Sequence, residues 1–235
     1  MLHELIFLEK IISGVDARRI ILQTLLEGPK TGRELRWALA DGFDRRIDGV
    51  SDALLYFNLQ YLENYNVISR KKEWKSKYAR IRPEYVQLVR RYFHINPPIC
   101  IVGALDNDST HVRDVRMKLR VEQKNMPLPK RYEFIVDKNL KNKFSPLFES
   151  VTFKFLDHEI FHNNVNFIYD FVKTEIIIYK KGSDSSSAKT LIEECEPIID
   201  VTCGSKSAIL ALQKIAHKYN LRCFYIDQEE QIVWI

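Results

Sequence analysis

The chain has 235 residues, 46% hydrophobic and 29% charged, enough for two compact domains and too apolar for a disordered segment. No run approaches ~18 consecutive apolar residues, and the start Met1-Leu2-His3-Glu4 lacks the features of a secretion signal, so a cytoplasmic chain without membrane contact is expected. The net charge of +5 is segregated: residues 1–96 carry 17 Lys+Arg against 12 Asp+Glu, leaving 19 of each beyond.

In chain order, apolar residues recur at helical spacing over 5–12 and 17–27, the second run stopping at Gly28-Pro29. Thr31 caps a third helix, with Glu34 as the capping-box partner. A loop over 41–49 follows, and then a helix over 51–64 with Leu54, Leu55, Leu59 and Leu62 on one face. Residues 67–71 and 78–82 flank a charged tip as a two-stranded hairpin does, and Pro83 opens a closing helix. Pro97 and Pro98 cannot continue it, so a domain of 1–95 gives way to one of 96–235.

Helices followed by a basic hairpin resemble the winged helix-turn-helix of ArsR- and MarR-like regulators, over about residues 16–93. Leu59 to Ile68 matches the end of the recognition helix, the turn and the first wing strand. Asn66 stands where a glycine is usual, and asparagine tolerates the left-handed backbone that turn needs. The resemblance implies duplex DNA as a partner, with Arg45, Arg46, Ser51, Tyr56 and Asn58 facing the groove. Lys71, Lys72, Lys75, Lys77 and Arg80 would clamp phosphates, and Arg70 and Trp74 belong to the same wing. Asp52 is an acid where phosphates would lie. The plain alternative is a solvated, lysine-rich hairpin on a protein-binding domain.

Beyond the linker, strands are expected at 99–102, 132–136, 151–156, 175–179, 198–201 and 223–227, mostly alternating with helices. A polar loop over 182–187 leads into a short helix near 188–195. The fold class is α/β, with a mainly parallel sheet in the second domain. Ligands of such sheets sit beyond the carboxyl ends of the strands. Two loops meet that condition: 106–110, with Asn107, Ser109 and Thr110, and 202–206, with Thr202, Gly204, Ser205 and Lys206. Hydroxyls, a glycine and a lysine at a strand-to-helix turn suit an anion, although the spacing is not that of a P-loop.

The order Asp200, Thr202, Gly204, Lys206 resembles the Asp-x-Thr-Gly-Gly-x-Lys loop of the CARF domain (CRISPR-associated Rossmann fold), with Cys203 replacing a glycine. The pairing of domains is similar to CRISPR-associated transcriptional regulators, in reversed order. It implies a homodimer that binds a cyclic oligoadenylate across two CARF-like domains and passes the signal to DNA. The alternative in the enzyme class is a metal-independent ring nuclease, with Ser205 and Lys206 positioning the ligand and the winged helix serving dimerisation. An ordinary strand–loop–helix corner is the non-functional alternative.

His158-Glu-Ile-Phe-His162 spells the H-E-x-x-H of zinc proteases. The alternation of 151–156 places His158 at a strand end, where both imidazoles cannot share a helical face, so neither a metal nor any cofactor is expected. Cys203 lies at a helix N-terminus with no histidine tied to it by sequence, so no catalytic residue is assigned. Cys100, Cys195, Cys203 and Cys223 show no C-x-x-C spacing and are expected as reduced thiols.

Overall fold

In the computed structural model, residues 2–73, 75–108, 110–122, 126–144, 150–178 and 190–235 are described. They fall into two compact units, one ending at Asn96 and the other beginning at Pro97. The first unit contains α1 (Leu2–Ile12), α2 (Asp16–Leu25), β1 (Lys30–Thr31), α3 (Gly32–Gly42), α4 (Asp52–Asn64), β2 (Ile68–Glu73), β3 (Ser76–Ile81) and α5 (Pro83–Tyr92). Its antiparallel sheet has the order β1-β3-β2.

The start of α3 forms as its sequence predicts. Thr31 Oγ1 accepts from the backbone N–H of Glu34 at 3.3 Å, while the Glu34 carboxylate accepts from the N–H of Thr31 at 2.6 Å. Asn66 takes the left-handed backbone, with φ of 58°, at the turn between α4 and β2. The inward face of α4 is Leu55, Asn58, Leu59 and Leu62, the i, i+3, i+4, i+7 set of a helix.

The second unit contains β4 (Ile99–Leu105), α6 (His111–Glu122), β5 (Arg131–Asp137), β6 (Val151–Leu156), α7 (His158–Asn163), α8 (Val165–Val172), α9 (Leu191–Glu194), β7 (Glu196–Asp200), α10 (Lys206–Tyr219), β8 (Cys223–Ile226) and β9 (Ile232–Trp234). The six-stranded sheet has the order β6-β5-β4-β7-β8-β9, parallel throughout except for β9. Every residue of β4 is buried, as a central parallel strand covered on both faces should be. Ile101, Leu105, Tyr132, Phe134 and Phe224 from the strands pack with Val112, Val115 and Leu119 of α6, while α8 lies on α10 across another part of the unit.

The structure departs from the sequence-based expectations at several points. Residues 173–177 are not a strand: the helix of α8 continues as a π-helical turn that buries Ile176 and Ile177. A five-residue apolar run fits either element, and packing decided it here. Tyr179 and the polar run 182–187 lie outside the described residues. The short strand β9 is not anticipated by the sequence pattern. Cys100, at the start of β4, and Cys195, just before β7, are joined in a disulfide with their Cα atoms 6.3 Å apart, so the expectation of four thiols holds only for Cys203 and Cys223. Parallel pairing of β4 with β7 brings together two cysteines 95 residues apart, which no local spacing reveals.

Candidate ligand loop and basic hairpin

Strand β7 ends in Asp200, whose carboxylate is buried and serves the loop that follows. Its Oδ1 accepts from the backbone N–H of Thr202 at 2.9 Å and from the Thr202 hydroxyl at 2.6 Å. Its Oδ2 accepts from Nε2 of His111, the first residue of α6, at 2.7 Å. Thr202 Oγ1 also accepts from the N–H of Ile226 at 2.9 Å, so both roles of that hydroxyl are internal.

Gly204 has a φ of 106°, and a Cβ there would stand 2.5 Å from the Cβ of Ala104. Only glycine lets the loop lie so close to the end of β4. Ser205 caps α10, accepting from the N–H of Ala208 at 3.1 Å while its hydroxyl donates to the carbonyl of Phe161. Lys206 is the first residue of α10 and is exposed.

Beneath this loop lies a group that sequence reasoning missed. His111 is buried, with Nε2 hydrogen-bonded to Asp200. Burial works against its charged form. The bond to Asp200 and the influence of Cys203, together with the negative charge of Asp200, outweigh burial and raise the imidazole to about 10. His111 is therefore an imidazolium paired with Asp200 at neutral pH. Residues 89 apart in sequence meet because α6 and the 202–206 loop start at neighbouring strand ends, which motif spacing cannot show.

The Thr110 hydroxyl and backbone N–H both donate to Asp108, at 2.7 and 2.8 Å, and hold that carboxyl below its ordinary range. Asn107 is exposed, and its carbonyl oxygen accepts from Lys143 Nζ at 3.2 Å. Ser109 lies outside the described residues. Of the seven residues named from sequence, Lys206, Asn107 and Thr110 are exposed, while Thr202, Gly204 and Ser205 shape their loop.

In the hairpin, Lys71, Lys72, Lys75 and Lys77 are all exposed, and Lys72 faces Lys77 directly across the strands. Like charges placed opposite one another cost stability. Arg80 is half-buried, opposite Ser69. Arg70 is not part of the cationic surface, because Glu63 and Gln60 hold its guanidinium. Trp74 lies outside the described residues.

Arg45 and Arg46 are exposed between α3 and α4, and Tyr56 is exposed on α4. Ser51 caps α4 and accepts from the N–H of Leu54 at 3.1 Å. Asp52 is neutralised by Arg36 at 3.1 Å. Asn58 does not point outward: it is 2% exposed, donates to the carbonyl of Leu54 and accepts from Arg18 Nε at 3.2 Å. Helical pitch places it between the inward leucines, where Arg18 satisfies its amide. The neighbouring Phe57, 67% exposed, holds the outward position instead.

The H-E-x-x-H motif also departs from expectation. His158 and His162 lie on a helix, α7, one turn apart, with ring centroids separated by 4.4 Å. Both rings reach Asp137 at the end of β5: His158 Nδ1 is 2.5 Å and His162 Nε2 is 3.3 Å from Asp137 Oδ2. The reason for expecting no metal, an imidazole stranded on a strand end, does not hold. Burial pushes the Asp137 carboxyl up, but bonds from His158, the N–H of Asn139 and His162 outweigh it and hold it below its ordinary value. The strand stops at Leu156, and the helix begins two residues later, a boundary that alternation alone could not fix.

Comparison with known proteins finds no matching family model and no matching curated protein. Among solved structures, the chain is similar to Can2 from Sulfobacillus thermosulfidooxidans in complex with cyclic tetra-adenylate, with 14% identity, 58% of this chain and 34% of that chain covered, and a TM-score of 0.36. It is similar to protein VC1899 from Vibrio cholerae at 15% identity, with 58% and 33% covered and a TM-score of 0.38. It is also similar to Enterococcus italicus Csm6 bound to cyclic hexa-2'-fluoro-hexa-dAMP at 15% identity, with 57% and 34% covered and a TM-score of 0.38. The matched region spans about a third of each of those chains. No helix among the described residues is long and apolar enough to cross a membrane.

Proposed function

We propose that the chain is a ligand-responsive, DNA-binding transcriptional regulator. Residues 1–95 act as a winged helix-turn-helix on duplex DNA, and residues 96–235 act as a CARF-like domain that binds a cyclic oligoadenylate. The carrying observation is the hairpin, where four exposed lysines crowd one tip and Lys72 opposes Lys77 against the interest of stability. A polyanion that neutralises this repulsion on binding gives such a surface a use, and its affinity falls steeply with salt. Pairing of Asp52 with Arg36 removes the acidic objection on the same face.

For the ligand, support comes from the loop resemblance together with a rigid corner that presents Lys206 at the start of a 14-residue helix. There the first backbone N–H groups and the helix dipole favour a phosphate. The ring-nuclease alternative requires Ser205 to position the ligand, yet its hydroxyl is engaged by Phe161 and Ala208. Sensing is therefore preferred over cleavage. In a homodimer, ligand binding would alter the spacing of the two DNA-binding units and so couple to operator affinity.

Fluorescence anisotropy with labelled duplex DNA over a salt series tests the reading. The expected result is a linear fall of log affinity with log salt. Absence of duplex binding at low salt would remove the DNA half of the proposal.

A further inference from the structure

The geometry points to a divalent-metal site of the zinc class formed by Asp137, His158 and His162. The ligating atoms would be Asp137 Oδ2, His158 Nδ1 and His162 Nε2, two imidazole nitrogens and a carboxylate oxygen. All three lie within 4.8 Å of one another. This set suits a borderline ion that keeps further positions for water or a phosphate oxygen.

Ligand atoms about 2.0–2.1 Å from a tetrahedral zinc ion stand about 3.3–3.4 Å apart. His162 Nε2 is already 3.3 Å from Asp137 Oδ2. His158 Nδ1, at 2.5 Å, has to move outward, and a side chain 59% exposed is free to do so. Asp137 cannot drift, because it is buried at the strand end and its Oδ1 accepts from the N–H of Asn139 at 2.9 Å.

The helix that carries the imidazoles is pinned from its other side. Ser205 donates to the carbonyl of Phe161, and Ser207 donates to the carbonyl of His162 at 2.7 Å. The histidines are thus delivered from a fixed helix onto a fixed carboxylate, which is the preorganisation a metal site needs. His162 is 37% exposed, so the open side of the site faces solvent.

The test uses tag-free full-length protein and zinc alone. Wild type should retain about one equivalent after dialysis and should melt at higher temperature as zinc is added, by mass action. Cobalt should bind in its place with the visible absorption of a low-coordinate site. Removing a group that only orients a metal ligand weakens binding about 10–100-fold, so His162→Gln and Asp137→Asn should each weaken it by at least the top of that range. His162→Gln, a change at a half-exposed position, should melt like wild type without zinc, so its loss of binding would not be loss of fold. Absence of saturable zinc binding by the wild type, or equal binding by a folded His162→Gln, would overturn the site and leave a hydrogen-bonded cluster. Neither result depends on whether the chain binds a nucleotide or DNA.

Discussion

In the 200–206 loop nearly every polar side chain serves the loop itself, whereas in the 68–81 hairpin four lysines reach solvent. The loop fixes one backbone path: Asp200 holds Thr202 and His111, Ser205 holds α7 and α10, and position 204 has room for nothing larger than a hydrogen. Its only exposed cation is Lys206. The hairpin is anchored at its base by Ile68, Ala79, Ile81 and the Arg70–Glu63 pair, and leaves its lysines exposed toward the tip. On the proposed reading, one region suits a small anion of defined shape and the other a polyanion of any sequence. Substitutions of the loop's internally bonded residues should therefore affect stability, and those of the exposed lysines binding.

The largest stability effect is expected for His111→Gln, which strips a buried Asp200 carboxylate of its charged partner at a cost of about 3–5 kcal/mol. The pH dependence follows from His111 being raised to about 10 from 6.5. Because the folded state holds this proton more tightly, the contribution is complete below about 6.5 and disappears as pH rises through 10. The gap between wild type and His111→Gln in chemical denaturation should accordingly close over that window. A gap that widens with pH would mean that His111 is neutral in the folded protein.

Gly204→Ala comes next, at about 2–4 kcal/mol, because it combines a positive φ with a collision against Ala104. Thermal melting checks it, and a melt equal to wild type would show that the loop can relax. Asn58→Ala should cost about 1–3 kcal/mol by leaving Arg18 without one buried acceptor. If Asn58 faced DNA instead, this variant would melt normally and lose DNA affinity.

Smallest in stability is the replacement of Lys71, Lys72, Lys75 and Lys77 by Ala. It should leave the melt nearly unchanged while lowering the salt slope by about 0.9 for each phosphate no longer neutralised. A variant that keeps the full slope would place the DNA-binding surface elsewhere.

Much of this comparison was legible in the sequence where the signal is local. The Thr31–Glu34 box, the left-handed Asn66 and the hairpin each depend on residues a few positions apart. What the sequence hid depends on strands meeting side by side. His111 reaches Asp200, Cys100 reaches Cys195 and Asp137 reaches both histidines only after the parallel sheet forms. Asn58 was open to correct reading, since its spacing from Leu55, Leu59 and Leu62 is helical, but polarity suggested an outward position that Arg18 makes unnecessary. The π-helical turn at 173–177 was beyond reach, because its isoleucines fit a strand equally well.

The central claim, that ligand capture at one unit controls DNA binding by the other, is tested most directly by titrating duplex DNA at fixed salt with and without saturating cyclic oligoadenylates of several ring sizes. One ring size should change DNA affinity about 5- to 150-fold. Lys206→Ala should bind DNA like wild type without ligand and should need about 10- to 150-fold more ligand for the same change. DNA affinity unmoved by every ring, or a response that Lys206→Ala keeps at wild-type ligand concentrations, would contradict the account.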